Sequence, residues 1–176
     1  MTSDQLARAI LQRSLLKGEF VLRSGATSDR YFDKYLFESD PELLAEVGKA
    51  LAKLVPEDTE VLAGLELGGV PLAVILGQLT GLPVVFVRKQ AKPYGTMRLA
   101  EGGDIDGKRL LIVEDVVTSG GQVVISSKDL RERGAVVDSA VCVIDREAGG
   151  PEALATEGVA LAALFTMSDL MRAGGG

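Results

Sequence analysis

Residues 110–135 read LLIVEDVVTSGGQVVISSKDLRERGA, and the order of features in this stretch decides the fold. An apolar run, Leu110 to Val113, has the composition of a buried parallel strand. Two carboxylates, Glu114 and Asp115, stand at its carboxyl end, and a small-residue turn follows, Thr118-Ser119-Gly120-Gly121. An amphipathic helix is expected from Gln122 to about Arg133, stopped at Gly134. Strand, acidic pair, hydroxyl/glycine turn and helix together form a pocket suited to a sugar phosphate. Glycines let backbone N–H groups converge on a phosphate at a helix N-terminus, where the helix dipole also favours an anion. The carboxylates would repel that phosphate, but they suit ribose hydroxyls, which donate hydrogen bonds to them. The plain alternative is an ordinary α/β turn. Four Gly, Ser or Thr residues just behind a strand-end acidic pair favour the ligand reading.

On either side of this stretch the chain alternates. Ser3 or Asp4 is expected to cap a first helix that ends near Lys17-Gly18. Residues 19–22 and 30–35 look extended and flank a turn at 24–28. Asp40-Pro41 starts a helix with Pro at its first position, and Leu43, Leu44, Val47, Leu51 and Leu54 keep helical spacing. Strands are then expected at 60–65, 83–87, 109–113, 136–144 and 159–165, with helices at 70–79, 122–133 and 151–157, and Ser168 capping a last turn. Alternation with short links means parallel βαβ units in an α/β fold, the sheet covered by helices on both faces. At 176 residues the chain suits a single domain, without internal repeat or low-complexity segment, and Gly174-Gly175-Gly176 is expected to fray.

Composition narrows the chemistry. Apolar residues make up 47% and charged residues 25%, the balance of a soluble globular protein. A net charge of −6 argues against a broad nucleic-acid or anionic-membrane footprint. The one cysteine, Cys142, lies in the apolar run AVCVI and reads as a buried thiol, so no disulfide forms within the chain. No basic-then-apolar leader and no apolar run of membrane-spanning length is seen, so a cytoplasmic location is the expectation. The absence of histidine removes Ser-His-Asp and Cys-His nucleophile systems and most zinc sites.

A polar loop from Arg88 to about Gly107 stands out. About twenty residues without regular structure often mark an active-site lid, and this one concentrates Arg88, Lys89, Lys92 and Arg98 in an otherwise acidic chain. Its natural role is to close over a polyanion such as pyrophosphate, although charge runs are often only solvated faces. Residues 102–108, GGDIDGK, have Walker A spacing, but Arg109 replaces the Ser/Thr and the segment precedes a strand, so that reading fails. Two more loops lie at strand ends. GLELGGVP (64–71) can present the amides of Gly68-Gly69 to an anion, or be a tight turn. Asp145-Arg146-Glu147 offers a guanidinium that could fork onto a planar carboxylate, or form a surface ion pair.

Four segments, in order, resemble the orotate phosphoribosyltransferases, and the likeness covers nearly the whole chain. FVLRSGATSDRYFDKYLF (20–37) looks like the family's N-terminal hood, and RKQAKPYG (88–95) like its flexible loop. IVEDVVTSGG (112–121) looks like its loop for phosphoribosyl pyrophosphate (PRPP), and IDREAGG (144–150) like the segment whose arginine meets the orotate carboxylate. The PRPP loop alone is shared with enzymes for purines and uracil; the other three narrow the likeness to orotate. The resemblance implies a type I phosphoribosyltransferase fold over residues 1–176, with a small hood formed mainly by 1–40 plus the C-terminal segment. It implies conversion of orotate and PRPP to orotidine 5′-monophosphate and pyrophosphate in pyrimidine synthesis. It further implies Mg²⁺ held mainly by PRPP, and a homodimer whose loop crosses to the neighbour's site.

By the same resemblance, Glu114, Asp115 and Lys92 would be the catalytic residues, the first two holding the ribose diol. Arg23, Arg88, Lys89, Lys92 and Tyr94 would meet PRPP, with Val117, Thr118, Ser119, Gly120, Gly121 and Gln122 around the 5′-phosphate. Tyr31, Phe32, Arg146 and the Thr118 hydroxyl would frame orotate. Arg23 stands where many members have lysine, Tyr94 where many bacterial members have histidine, and Leu67-Gly68 where many have Tyr-Lys. The AKPYGTMRLAEG stretch is instead similar to the eukaryotic UMP synthase domain. A sibling enzyme for another base, or a non-catalytic PRPP-binding regulator, are the competing expectations.

Overall fold

The computed structural model describes residues 1–22, 24–93, 95 and 98–175. Helix α1 (Ser3–Ser14) leads into an antiparallel strand pair, β1 (Leu15–Val21) and β2 (Thr27–Phe32), then a single-turn helix, α2 (Tyr35–Glu38), and α3 (Pro41–Leu51). Thr2 caps α1, not Ser3 or Asp4: its hydroxyl accepts from Gln5 N, and Gln5 returns a bond to Thr2 N. The helix stops at Ser14, short of the expected Lys17-Gly18, because Leu15 turns extended and pairs with Phe32. Asp40 caps α3 as its sequence predicts, accepting from Glu42 N and Leu43 N at 3.2 and 3.1 Å.

Beyond α3 the chain builds β3 (Val61–Leu65), α4 (Gly69–Thr80), β4 (Val84–Val87), β5 (Ala100–Glu101) and β6 (Arg109–Val117). It continues with α5 (Gly121–Arg131), β7 (Val136–Asp145), α6 (Gly150–Thr156), β8 (Ala160–Thr166) and α7 (Met167–Ala173). The six strands from β3 onward form one sheet in the order β5-β4-β3-β6-β7-β8, parallel except for the β4–β5 pair. Leu111 and Val113 of β6 join one core with Ile10, Val47, Leu72 and Leu170, while Leu110 and Ile112 join the other with Val123, Leu130 and Leu154. Burial on both faces explains the unbroken apolar run. Each fully buried Leu or Ile contributes about 1.5–3 kcal/mol relative to exposure, so the end of β6 is held fixed from both sides.

Three expectations need correction. β6 runs on to Val117, so Glu114 and Asp115 are buried residues within the strand, two short of its end. The polar stretch after β4 is shorter than the expected twenty residues, because Ala100 and Glu101 return antiparallel to Val87 and Phe86. Thr166 with Asp169, not Ser168, caps the last helix. That helix packs on α1, where Arg8 Nε donates to Ala173 O at 2.8 Å.

Candidate active site

Successive connections run one way from β3 and the other way from β6, and these two strands are neighbours. Such a reversal leaves a crevice outside the carboxyl ends of the strands, where ligands bind in open α/β sheets. Glu114 and Asp115 sit at that crevice and are buried, Asp115 completely. Glu114 Oε1 accepts from Asp115 N at 3.0 Å, and Asp115 Oδ1 accepts from Val116 N at 2.5 Å.

Two residues from the short helix after β2, overlooked in the sequence, complete the acidic cluster. Lys34 Nζ lies 2.6 Å from Asp115 Oδ2, an ion pair more than an aligned hydrogen bond. Burial would lower the Lys34 pKa, but Asp115 outweighs it and the ammonium is held above its usual range. Glu38 is buried beside Asp115; burial first, then the Asp115 charge, pushes its carboxyl up to about 9. Burial and then Asp115 push Glu114 up to about 8. Burial and mutual repulsion thus favour the neutral forms of Glu38 and Glu114, which limits the cost of burying charge. Gly68 closes the cluster from the β3–α4 loop, where a Cβ would lie 1.6 Å from Asp115 Oδ2.

The predicted phosphate turn follows directly. Val117 and Gly120 are buried, while Thr118, Ser119 and Gly121 form an exposed rim. Gly120 takes a positive φ of 79°, and a Cβ there would lie 2.4 Å from Leu154 Cδ1 of α6. Glycine alone allows both the turn and the contact. The first amides of the 11-residue α5 have no partner within the helix and face the rim. Gln122 turns instead along its own helix, Nε2 donating to Ser126 Oγ at 3.2 Å.

The cationic loop is tied to its own base. Lys92 pairs with Glu101 on β5, and Arg88 Nε lies 3.7 Å from the same carboxylate. Lys89 is exposed, and its amide donates to Glu66 Oε1 at 2.5 Å, which links the loop to the β3–α4 turn. Arg23 and Tyr94 lie outside the described residues.

Arg146 is exposed, and its amide donates to Val117 O at 2.8 Å, so its segment starts beside the phosphate turn. No ion pair among the described residues includes Arg146; its neighbour Glu147 instead accepts from Ser168 Oγ at 2.6 Å. Tyr31 is 42% exposed and tilts over Phe20 with ring centroids 5.6 Å apart, while the next residue, Phe32, packs against the core. Neighbours on a strand point to opposite faces, so these two rings are not brought together. Cys142 is buried on β7, and burial followed by Asp145 pushes its thiol up to about 12, in keeping with the inert reading. A cavity of about 1120 Å³ opens elsewhere, between α1 and α3, and none of the predicted site residues lines it.

The family model of the phosphoribosyl transferase domain matches residues 37–160. An orotate phosphoribosyltransferase of Nocardioides sp. is 49% identical over 155 residues, covering 88% of this chain and 87% of its own. One from Halobacterium salinarum is 48% identical over 172 residues, covering 97% and 98%. Among solved structures, an orotate phosphoribosyltransferase of Mycobacterium tuberculosis in complex with Fe(III) dicitrate superposes with a TM-score of 0.87 at 30% identity, covering 96% of this chain and 98% of its own. The same enzyme in complex with PRPP gives 0.83 at 27%, with the same coverage.

Proposed function

The chain belongs to the orotate phosphoribosyltransferase family, and from that premise we propose how its residues divide the transfer of a phosphoribosyl group from PRPP to orotate, a step in pyrimidine synthesis. One observation carries the reading: an acidic pair lies near the end of β6 at the sheet's reversal point, and the strand leads into a glycine turn opening a helix. Glu114 and Asp115 take the ribose diol, and Val117 to Gly121 wrap the 5′-phosphate, with Gln122 behind them. Arg88, Lys89 and Lys92 meet the pyrophosphate, joined by Arg23 and Tyr94. Arg146, Tyr31 and the Thr118 hydroxyl frame orotate, while Phe32 packs against the core.

A ring nitrogen of orotate forms the bond to C1 of the ribose as the bond to pyrophosphate breaks. The sugar gains positive charge and the leaving group negative charge. Preorganised groups of opposite sign meet both, which is where most of such catalysis arises. The base is itself the nucleophile, so a chain without histidine suffices. Lys92 leaves Glu101 as the loop closes, and closure excludes water from PRPP.

Among the described residues no group of three or more acidic, cysteine or histidine side chains is gathered into a metal cage, and Asp115 already faces an ammonium. This donor set fits Mg²⁺ carried by the oxygens of PRPP. Bound there, the ion neutralises the leaving pyrophosphate. We further infer one domain with a hood from residues 1–40 and the C-terminal helix, a homodimer sharing its loops, and a cytoplasmic location. No helix of the described residues is long and apolar enough to cross a membrane.

The experiment is a base panel. With PRPP and Mg²⁺, orotate should be consumed, followed by loss of absorbance, while adenine, guanine, xanthine and uracil are left untouched. Turnover of another base in preference to orotate would overturn the reading.

A further inference from the structure

We infer that Lys34 is a positioning residue that ties the hood to the sugar-binding carboxylate, holding Asp115 charged and aimed before substrate arrives. The inference rests on the reading that Asp115 receives the ribose diol. Its basis is geometric. Asp115 has no solvent exposure of its own, and its Oδ2 is met by the Lys34 ammonium at 2.6 Å. That ammonium comes from a different part of the chain, with Nζ over the Tyr35 ring at 5.3 Å from its centroid. Gly68 provides the space the carboxylate occupies. Oδ1 is held by Val116 N, so the orientation is fixed at both oxygens.

The ammonium acts on the two glutamates beside Asp115, and the other groups there are acidic too. Glu38 approaches from the hood, Glu114 from its own strand, and Cys142, with Asp145 beyond it, from β7. All four are acids. Among the described residues Lys34 is the cation that faces them, and without it the cluster carries negative charge at a greater cost. Each carboxylate oxygen has two lone-pair sites, so Asp115 can keep Lys34 and still accept a ribose hydroxyl. The substrate does not have to displace the lysine.

The test compares wild type with Lys34→Met, Lys34→Arg and Asp115→Asn, using steady-state kinetics from pH 5 to 9 and calorimetric titration with PRPP and Mg²⁺. Lys34→Met should raise the PRPP KM about 10–100-fold, the worth of one charge-assisted hydrogen bond, and leave the orotate KM within about twofold. Lowering pH protonates the cluster, and a cluster without its ammonium protonates sooner. The acid limb of kcat/KM for PRPP should therefore move to higher pH by about one unit or more. Lys34→Arg keeps the charge and should restore the acid limb. Lys34→Gln serves the same comparison should the methionine variant fail to fold. A folded Lys34→Met with wild-type PRPP KM and acid limb overturns the inference, as does an arginine variant as impaired as methionine. If Asp115→Asn itself binds PRPP normally, the diol reading fails instead; if only Asp115→Asn is impaired, Lys34 alone loses its role.

Discussion

A Cβ on residue 68 would lie 1.6 Å from Asp115 Oδ2, so the smallest side chain there must push the carboxylate aside. Gly68→Ala should therefore fold yet bind PRPP about 10–100-fold more weakly, through the lost Lys34–Asp115 geometry. Titration calorimetry beside a melting curve checks this, and unchanged PRPP affinity in the folded variant would show that Asp115 tolerates displacement. Glu114 and Asp115 were legible in the sequence because two carboxylates at the end of an apolar strand have few structural uses. Lys34 and Glu38 were not. They belong to a single-turn helix, too short for any apolar period, and their meeting with Asp115 is purely tertiary. Gly68 read equally well as a turn glycine, since close approach leaves no mark on sequence.

At the scale of elements, the strands and helices after residue 40 were legible from alternation, and so was the phosphate turn. β5 was not, because two residues carry no period and their pairing with β4 is a matter of tertiary context. The omission matters, since β5 carries Glu101, the carboxylate that holds Lys92 in the free protein. On the proposed reading Lys92 starts tethered to Glu101 and reaches pyrophosphate only on closure. Losing a contact made in the transition state costs on the order of 10²–10³ in kcat, so Lys92→Ala should lose that much with little change in melting temperature. If loops are exchanged across a two-fold dimer, an equal mix with Asp115→Ala should regain roughly a quarter of wild-type activity. A mild loss in kcat from Lys92→Ala alone would remove the lysine from the leaving-group side.

Taken as a whole, the molecule sets the acidic pair and the glycine turn at one crevice, fixed by strand order. Alternation of strands and helices revealed the α/β class, but not that order, because nothing local says whether β6 pairs with β3 or with β4. The reversal between β3 and β6 brings the acidic pair, Gly68 and the start of α5 to the same end of the sheet. The segment between β2 and α3 then brings Lys34 onto Asp115 from outside the sheet. On this view the buried acids exist for the sugar and not for the fold, since uncharged isosteres would suit the interior better. Calorimetric titration of PRPP with Mg²⁺ into the Glu114→Gln, Asp115→Asn double variant tests that most directly. The expected result is a cooperatively folded protein whose PRPP affinity is lower by at least about 10-fold, the charge-assisted hydrogen bond to Asp115 having been weakened. A folded double variant that binds PRPP as tightly as wild type would contradict it.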